Sequence, residues 1–403
     1  MLTYFEANNT IRKYFSRIQP HTEAVEITEA LDRTLAEDII SDIDLPPFDN
    51  SAMDGYTVRY NENITKWNII GEISAGNYQE FNVDESSAVS IMTGAKLPTG
   101  ADTVIPLENV YLSGNSIQLL DNIKIKKGND IRYCGEDIHK GKIAVPAGTV
   151  IKPKNIALAA ACGKKYLNVL APLKIGILTG GDELIEIDKI PEKDQIRSTN
   201  LYTLISLIKE LKMDYLSFGI VGDEKSDIKE VIEKALKSEL DILITTGGVS
   251  VGKRDYIKGV LEECGAETIF WKVKVKPGKP LLFSKYNKED KSILIFGLPG
   301  NPASSFVSFN LFVKPFISEL YHYEPAKKFN AELELNLTKN DDRKTFIRGI
   351  SGYDKSRNIF TVRKSGGQSS GNMASLSSAD CLIVLEENDY KVSAGATVEC
   401  IPL

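Results

Sequence analysis

The chain is predicted to be a multidomain α/β plus β protein. A doubly wound, mostly parallel α/β domain is expected, with an inserted, mostly β domain ahead of it and a small β domain behind. Three observations predict this. The 403 residues exceed what one ordinary core accommodates. Residues 173–325 alternate apolar strand runs with stripes at helical spacing, the pattern of a sheet covered on both faces. Residues 45–140 and 326–403 are instead short strand-like runs parted by turns.

The first element reads as a helix. Thr3 followed by Glu6 is a capping-box pattern, and Phe5, Ile11, Tyr14, Phe15 and Ile18 fall roughly on one face. A second short helix is expected over Glu29 to Ala36. Helix-forming text returns at residues 141–172, with NIALAAACG after Lys154. Residues 1–44 and 141–172 are therefore grouped as a helical or linking domain. Between them, residues 45–140 carry YTVRY, WNIIGEI, AVSIMTG, DTVIPLENVYL and SIQLL. From 173 onward, KIGILT, YLSFGIV, DILITT, TIFWKVKV, PLLFS and SILIF read as strands. Helices are expected after Thr199, over the Ile228–Leu236 stripe, near Tyr256–Cys264 and from Asn301 through Phe316, with Asn301 as N-cap and Pro302 at N1. After Glu324 come AELELNL, TFIRGI, IFTVRK, CLIVLEE and ATVECIPL, which make the last domain, 326–403.

Composition removes several function classes. Lys and Arg number 49 against 55 Asp and Glu, so a sequence-independent nucleic-acid binder is disfavoured and any basic site must be local. No run of about 18 apolar residues predicts a membrane span, and the N-terminal residues lack the pattern of a signal peptide. Five scattered cysteines, with no CxxC, fit reduced thiols in the cytoplasm. Three scattered histidines make a His-rich zinc site improbable.

The chemistry is expected at three glycine turns that end three strands: Gly180-Gly181-Asp182-Glu183, Gly247-Gly248-Val249-Ser250 and Gly297-Leu298-Pro299-Gly300-Asn301-Pro302. Strand carboxyl ends form the ligand crevice of open α/β sheets, and glycine N–H groups with helix N-termini favour an anion. One such turn alone is an ordinary connection; three in one domain favour an anionic ligand. In an extended Trp271–Lys276, lysines 272, 274 and 276 share one face. They suit either a protected edge strand or an anion site. Pro277-Gly278 forces a turn that can converge Lys276 and Lys279 on a phosphate or tetrahedral oxyanion. Asp182, Glu183, Asp223 and Asp255 lie beyond strands and turns and can hold Mg²⁺ against a ligand's phosphate. Asp223 is equally readable as a helix N-cap, and Asp255 as a partner of Lys253 or Arg254. Outside this domain, PPFDNSAMDGY at 46–56, Thr93-Gly94-Ala95 and Gly135-Glu136-Asp137 are dense in turn formers and polar groups, as functional loops are.

Taken together, PPFDNSAMDGY, MTGAKLPTGAD, RYCGEDI, TGGDEL, TTGGVSVGKRDY, KPGKP and GLPGNPAS resemble the molybdopterin molybdenumtransferases, the MoeA family, and the matching domain of gephyrin-like proteins. They occur in the family's order between about residues 46 and 305; the C-terminal match is weaker, through Arg348-Gly349 and Ser369-Ser370-Gly371. The resemblance implies a four-domain homodimer with its cleft shared between protomers, and an α/β domain like that of the pterin adenylyltransferases. It implies insertion of molybdenum from molybdate into adenylylated molybdopterin, with release of AMP and help from Mg²⁺. Asp54, Thr93 and Asp137 match functional positions of the N-terminal motifs. Glu183, Asp223 and Asp255 match acids around nucleotide and metal. Gly181, Asp182, Gly247, Gly248, Ser250, Pro299, Gly300, Asn301 and Pro302 match the pterin and nucleotide wall. Ser250, Lys276, Lys279, Arg348 and Ser370 match the molybdate pocket. Gly180-Gly181-Asp182 departs from the Ser or Thr before a single Gly found in many members. The adenylyltransferase itself and recipient molybdoenzymes are expected partners.

Two other classes compete. An adenylyltransferase would need only the α/β domain, which leaves the flanking β domains unexplained. A scaffold of the gephyrin kind carries long Pro/Ser-rich linkers, and this sequence has none.

Overall fold

A computed structural model describes residues 1–77, 79–248, 256–288 and 291–403. Two compact units are present: Met1–Thr22 with Leu170–Leu403, and Glu23–Val169.

The first unit is organised by a six-stranded sheet. Its order is Asp214–Val221, Lys174–Gly180, Ile242–Thr246, Ser292–Leu298, Leu282–Asn287, Glu267–Trp271. The first four strands are parallel, and Leu282–Asn287 alone runs against the rest, making the last two pairings antiparallel. Alternation sends successive side chains to opposite cores. Ile242 and Ile244 join one cluster and Leu243 the other; Leu294 and Phe296 likewise part from Ile293 and Ile295. The helices Lys225–Lys237 and Ile257–Glu263 cover one face. Tyr4–Phe15, Thr199–Glu210, Pro302–Phe312 and Lys314–Leu320 cover the other. The doubly wound architecture follows from these two apolar faces.

A second sheet in this unit closes on itself. It runs Lys344–Asp354, Ile359–Lys364, Phe329–Leu333, Thr397–Pro402, Cys381–Leu385, and Cys381–Leu385 pairs back onto Lys344–Asp354. Leu333, Ile347, Val362, Ile383 and Val398 fill this small barrel. The two-residue strand Val275–Lys276, which leaves the α/β sheet, adds to its Lys344 edge in parallel.

In the other unit, six strands order as Thr103–Pro106, Gly55–Val58, Ser87–Ile91, Lys66–Ile73, Ser116–Leu119, Val110–Ser113. Trp67, Ile105 and Ile117 are buried on one side of it and Val89 and Val104 on the other.

Four expectations are corrected. The helix Tyr4–Phe15, capped by the Thr3–Glu6 box, does not group with residues 141–172. It packs Ala7, Ile11 and Phe15 into the α/β core, with Phe15 5.5 Å from Phe316. Burying Ile11 and Phe15 there contributes about 1.5–3 kcal/mol each. Glu29 to Ala36 is not a helix: one 3₁₀ turn, Ile27–Ala30, ends before Asp32 (φ 60°), and the Leu35 N–H donates to Thr149 O. Residues 141–172 hold only one helix, Pro153–Ala161, between the strands Ile143–Val145 and Tyr166–Leu170. The helix after Asn301 breaks at Val313, because Pro315 lacks the N–H that continuation requires.

Candidate functional site

All three glycine turns meet at the carboxyl ends of adjacent parallel strands. They line a cavity of about 380 Å³ with Gly181, Glu183, Asp223, Gly247, Gly248, Pro299, Gly300, Asn301 and Pro302. Gly247 (φ 83°) is required there, because a Cβ would stand 2.3 Å from Gly180 O. Two helix N-termini reach the same cavity, one through Thr199 and Asn200, the other through Pro302. The positive dipole ends of both helices favour an anion. At the second, Pro302 has no N–H and the Ala303 N–H is bonded to Ser370 O, so it contributes its dipole rather than free donors. Asn301 is the N-cap by position but makes no side-chain capping bond.

The acids divide by role. Asp182 Oδ1 accepts the Asp223 N–H at 2.8 Å and so ties two strand ends together. Asp223 is not the N-cap of the next helix: Glu224 holds that position, again without a side-chain bond. Glu183 and Asp223 both line the cavity, whereas Ser250 and Asp255 lie outside the described residues. Among the described residues no three His, Cys, Asp or Glu side chains gather as a metal cluster. A pair of carboxylates beside a phosphate-sized space still fits Mg²⁺, which takes one or two carboxylates and completes its shell from phosphate and water.

Sequence reasoning missed part of this wall. Thr179, Ser198 and Asn200 also line the cavity, and Thr179 Oγ1, Ser198 Oγ and Asn200 Oδ1 are buried with no hydrogen-bond partner among the described residues. The Asn200 amide donates to Gly300 O at 2.6 Å and fixes the third glycine turn. Ser198-Thr199-Asn200 has the composition of a helix cap, which hides a ligand-facing role.

A second cavity of about 320 Å³ abuts the first and shares Pro280 with it. Lys276, Lys279, Arg343, Arg348 and Ser370 line it. The lysine run is not one extended strand. Lys272 turns with φ 76° and lays its ammonium 3.7 Å from the Trp271 ring centroid; the first strand ends at Trp271 and strand resumes only at Val275–Lys276. The chain turns because Lys272 N–H bonds to Leu281 O and Val273 N–H to Lys279 O. That fold-back, with Gly278 (φ 95°) packed where a Cβ would meet Ser308 Oγ at 2.4 Å, brings Lys276 and Lys279 to one cavity.

Arg348 is only 1 % exposed, and burial lowers the pKa of its guanidinium. Its Nη2 donates to Gly367 O at 3.0 Å and Ser369 O at 2.9 Å, and its Nε to Ser375 Oγ at 3.0 Å. It therefore shapes the loop that carries Ser370, besides lining the cavity. Among the described residues no carboxylate is within ion-pair distance of Arg348 or Lys279. Ser370 O accepts the Ala303 N–H at 3.0 Å, so the barrel loop is fastened to the start of the Pro302–Phe312 helix.

The remaining predicted residues sit in the other unit. Thr93 donates to Asp54 Oδ1 through its N–H at 2.7 Å and its hydroxyl at 2.8 Å. Those bonds, the backbone one first, hold the Asp54 carboxyl below its usual range. Gly94 N–H bonds to Ser51 O, Gly135 N–H to Pro46 O and Asp137 N–H to Leu45 O, so the three polar loops form one assembly. Asp54 and Thr93 touch, while Asp137 joins through its backbone.

Residues 2–163 match the MoeA N-terminal region (domain I and II), 176–319 a probable molybdopterin binding domain, and 330–403 the MoeA C-terminal region (domain IV). The molybdopterin molybdenumtransferase of Haemophilus influenzae is 37% identical over 386 residues, 94% of each chain. That of Bacillus subtilis is 32% identical over 395 residues, 95% of this chain and 90% of its own. The crystal structure of a molybdopterin biosynthesis moeA protein from Pyrococcus horikoshii OT3 is 30% identical, covers 100% of both chains and superposes with a TM-score of 0.82. Similarity of this extent, in every region of the chain, shows that it belongs to the molybdopterin molybdenumtransferase (MoeA) family.

Proposed function

We propose that the chain inserts molybdenum from molybdate into adenylylated molybdopterin, releasing AMP and forming the molybdenum cofactor. The observation that carries this reading is the adjacency of the two cavities. One offers glycine turns and helix N-termini to a phosphate-bearing ligand; the other offers lysines and arginines to an oxyanion; Pro280 belongs to both. Family membership supports the same reaction.

Molybdate is a dianion with no apolar surface, so cations and hydroxyls must replace its hydration. Lys276, Lys279, Arg348 and Ser370 supply those donors. The pterin and nucleotide lie along Gly181, Asp182, Gly247, Gly248, Ser250, Pro299, Gly300, Asn301 and Pro302. The orphaned Thr179, Ser198 and Asn200 oxygens would gain partners from the polar edges of that ligand. Glu183 and Asp223, with Asp255, are the groups that would hold Mg²⁺. Bound there, Mg²⁺ supplies charge neutralisation at the phosphoanhydride as AMP departs. The chain's own contribution is placement and electrostatics rather than a covalent nucleophile.

In the same reading the protein is a cytoplasmic homodimer that shares its cleft between protomers, with Asp54, Thr93 and Asp137 contributed to that cleft. It receives adenylylated pterin from the pterin adenylyltransferase and hands cofactor to recipient molybdoenzymes. The deciding experiment supplies preformed adenylylated pterin and Mg²⁺ and follows AMP by mass spectrometry. AMP release that depends on molybdate supports the proposal. Consumption of ATP without such release would point to pterin adenylylation instead.

A further inference from the structure

Two neighbouring lysines of the basic run meet two neighbouring aspartates, and the outcomes differ. Lys274 Nζ pairs with Asp342 at 2.8 Å and Glu387 at 3.6 Å, away from the cation cavity. Lys276 Nζ pairs with Asp341 at 3.3 Å while lining that cavity.

Asp341 is held by its own turn. Its Oδ1 accepts the Arg343 N–H at 3.1 Å, and its Oδ2 accepts Arg343 Nη2 at 2.8 Å. Arg343 Nη1 donates onward to Val275 O at 3.4 Å, the residue before Lys276. The turn is fastened from below by Lys339, 6 % exposed, whose ammonium donates to Arg343 O at 2.7 Å, to Glu387 O at 2.9 Å and to Glu386 O. The carboxylate is thus fixed without help from Lys276, and the long lysine side chain is the part that adapts.

We propose that Asp341 is a positioning residue for oxyanion binding, its fixed carboxylate aiming the Lys276 ammonium into the cavity beside Lys279. The role rests on the reading of that cavity as the molybdate site. An ammonium has three N–H donors, so one can stay on Asp341 while others turn to a tetrahedral oxyanion. Repulsion between Asp341 and the incoming dianion is offset by the Arg343 guanidinium bound to the same oxygen. What remains is pre-organisation: Lys276 loses less rotamer freedom on binding than an untethered lysine.

The test measures molybdate affinity of the full chain by calorimetry, with thermal melts to verify folding. Asp341→Asn is expected to weaken binding about fivefold. Asp341→Glu, which keeps the charge and moves it, should weaken it less. Asp342→Asn, which breaks the equivalent pair away from the cavity, should leave affinity unchanged. In a Lys276→Ala background, Asp341→Asn should cost nothing more. Unchanged or tighter molybdate binding by Asp341→Asn, alongside weakened Lys276→Ala, overturns the positioning role alone. Unchanged binding in both Lys276→Ala and Lys279→Ala overturns the reading of the cavity, and the role of Asp341 with it.

Discussion

The two adjoining cavities reach anion-binding character by opposite means. The glycine cavity is made of backbone: strand ends, tight turns and helix N-termini whose positions follow from a close-packed parallel sheet. The cation cavity is made of long side chains from two strands of the barrel sheet and from the turns beside them, held by ion pairs and a buried arginine. Backbone donors arrive pre-organised with the fold, whereas lysines need separate devices to aim them. Damage to the first should therefore appear as lost stability, and damage to the second as lost affinity.

Gly247→Ala is the harshest way to test this contrast. Its Cβ would meet Gly180 O at 2.3 Å in a left-handed conformation, and a loss of at least about 3 kcal/mol in urea unfolding is expected. A neutral effect would mean that the turn can rebuild, and the backbone half of the comparison would fail. Arg348→Met probes the boundary case, a cation that also holds structure. Gly367 O, Ser369 O and Ser375 Oγ would lose their donor, so a loss of about 2–3 kcal/mol should accompany weakened molybdate binding. If affinity falls and stability does not, Arg348 belongs wholly with the lysines. Lys279→Ala is the clean opposite: the melting temperature should stay near wild type while molybdate affinity drops about tenfold. Unchanged affinity would remove Lys279 from the oxyanion site.

The smallest expected effect lies in the other unit. Asp54 has a folded-state pKa below its usual value because Thr93 donates to it. Its contribution is therefore present above the usual value of about 4 and is lost as pH falls through the depressed folded value. Asp54→Asn should flatten the acid limb of the stability curve, measured by unfolding from about pH 6 to pH 2. An identical limb in both proteins would show that the Thr93 contact does not stabilise the ionised form.

The legibility of each part follows from how local its cause is. Gly247-Gly248 and Pro299-Gly300 stand out because a turn needing such residues leaves a local mark, and the apolar runs before them mark buried strands. Ser198 and Asn200 were overlooked because a helix cap and a ligand wall use the same residue types. The lysine run misled because period-two alternation also describes a chain that turns at Lys272 and joins another sheet at Val275.

The amino-acid sequence alone determined the doubly wound sheet, the three glycine turns at its carboxyl edge and the lysines near them, since strand period and turn chemistry act within a few residues. Tertiary structure decided that Tyr4–Phe15 packs on the α/β sheet, that Arg348 organises the Gly367–Ser370 loop, and that Asp341 meets Lys276. Those contacts join residues from 19 positions apart, Arg348 and Gly367, to about 300 apart, Phe15 and Phe316. No local periodicity encodes such pairs; they depend on where the packed cores place each chain segment.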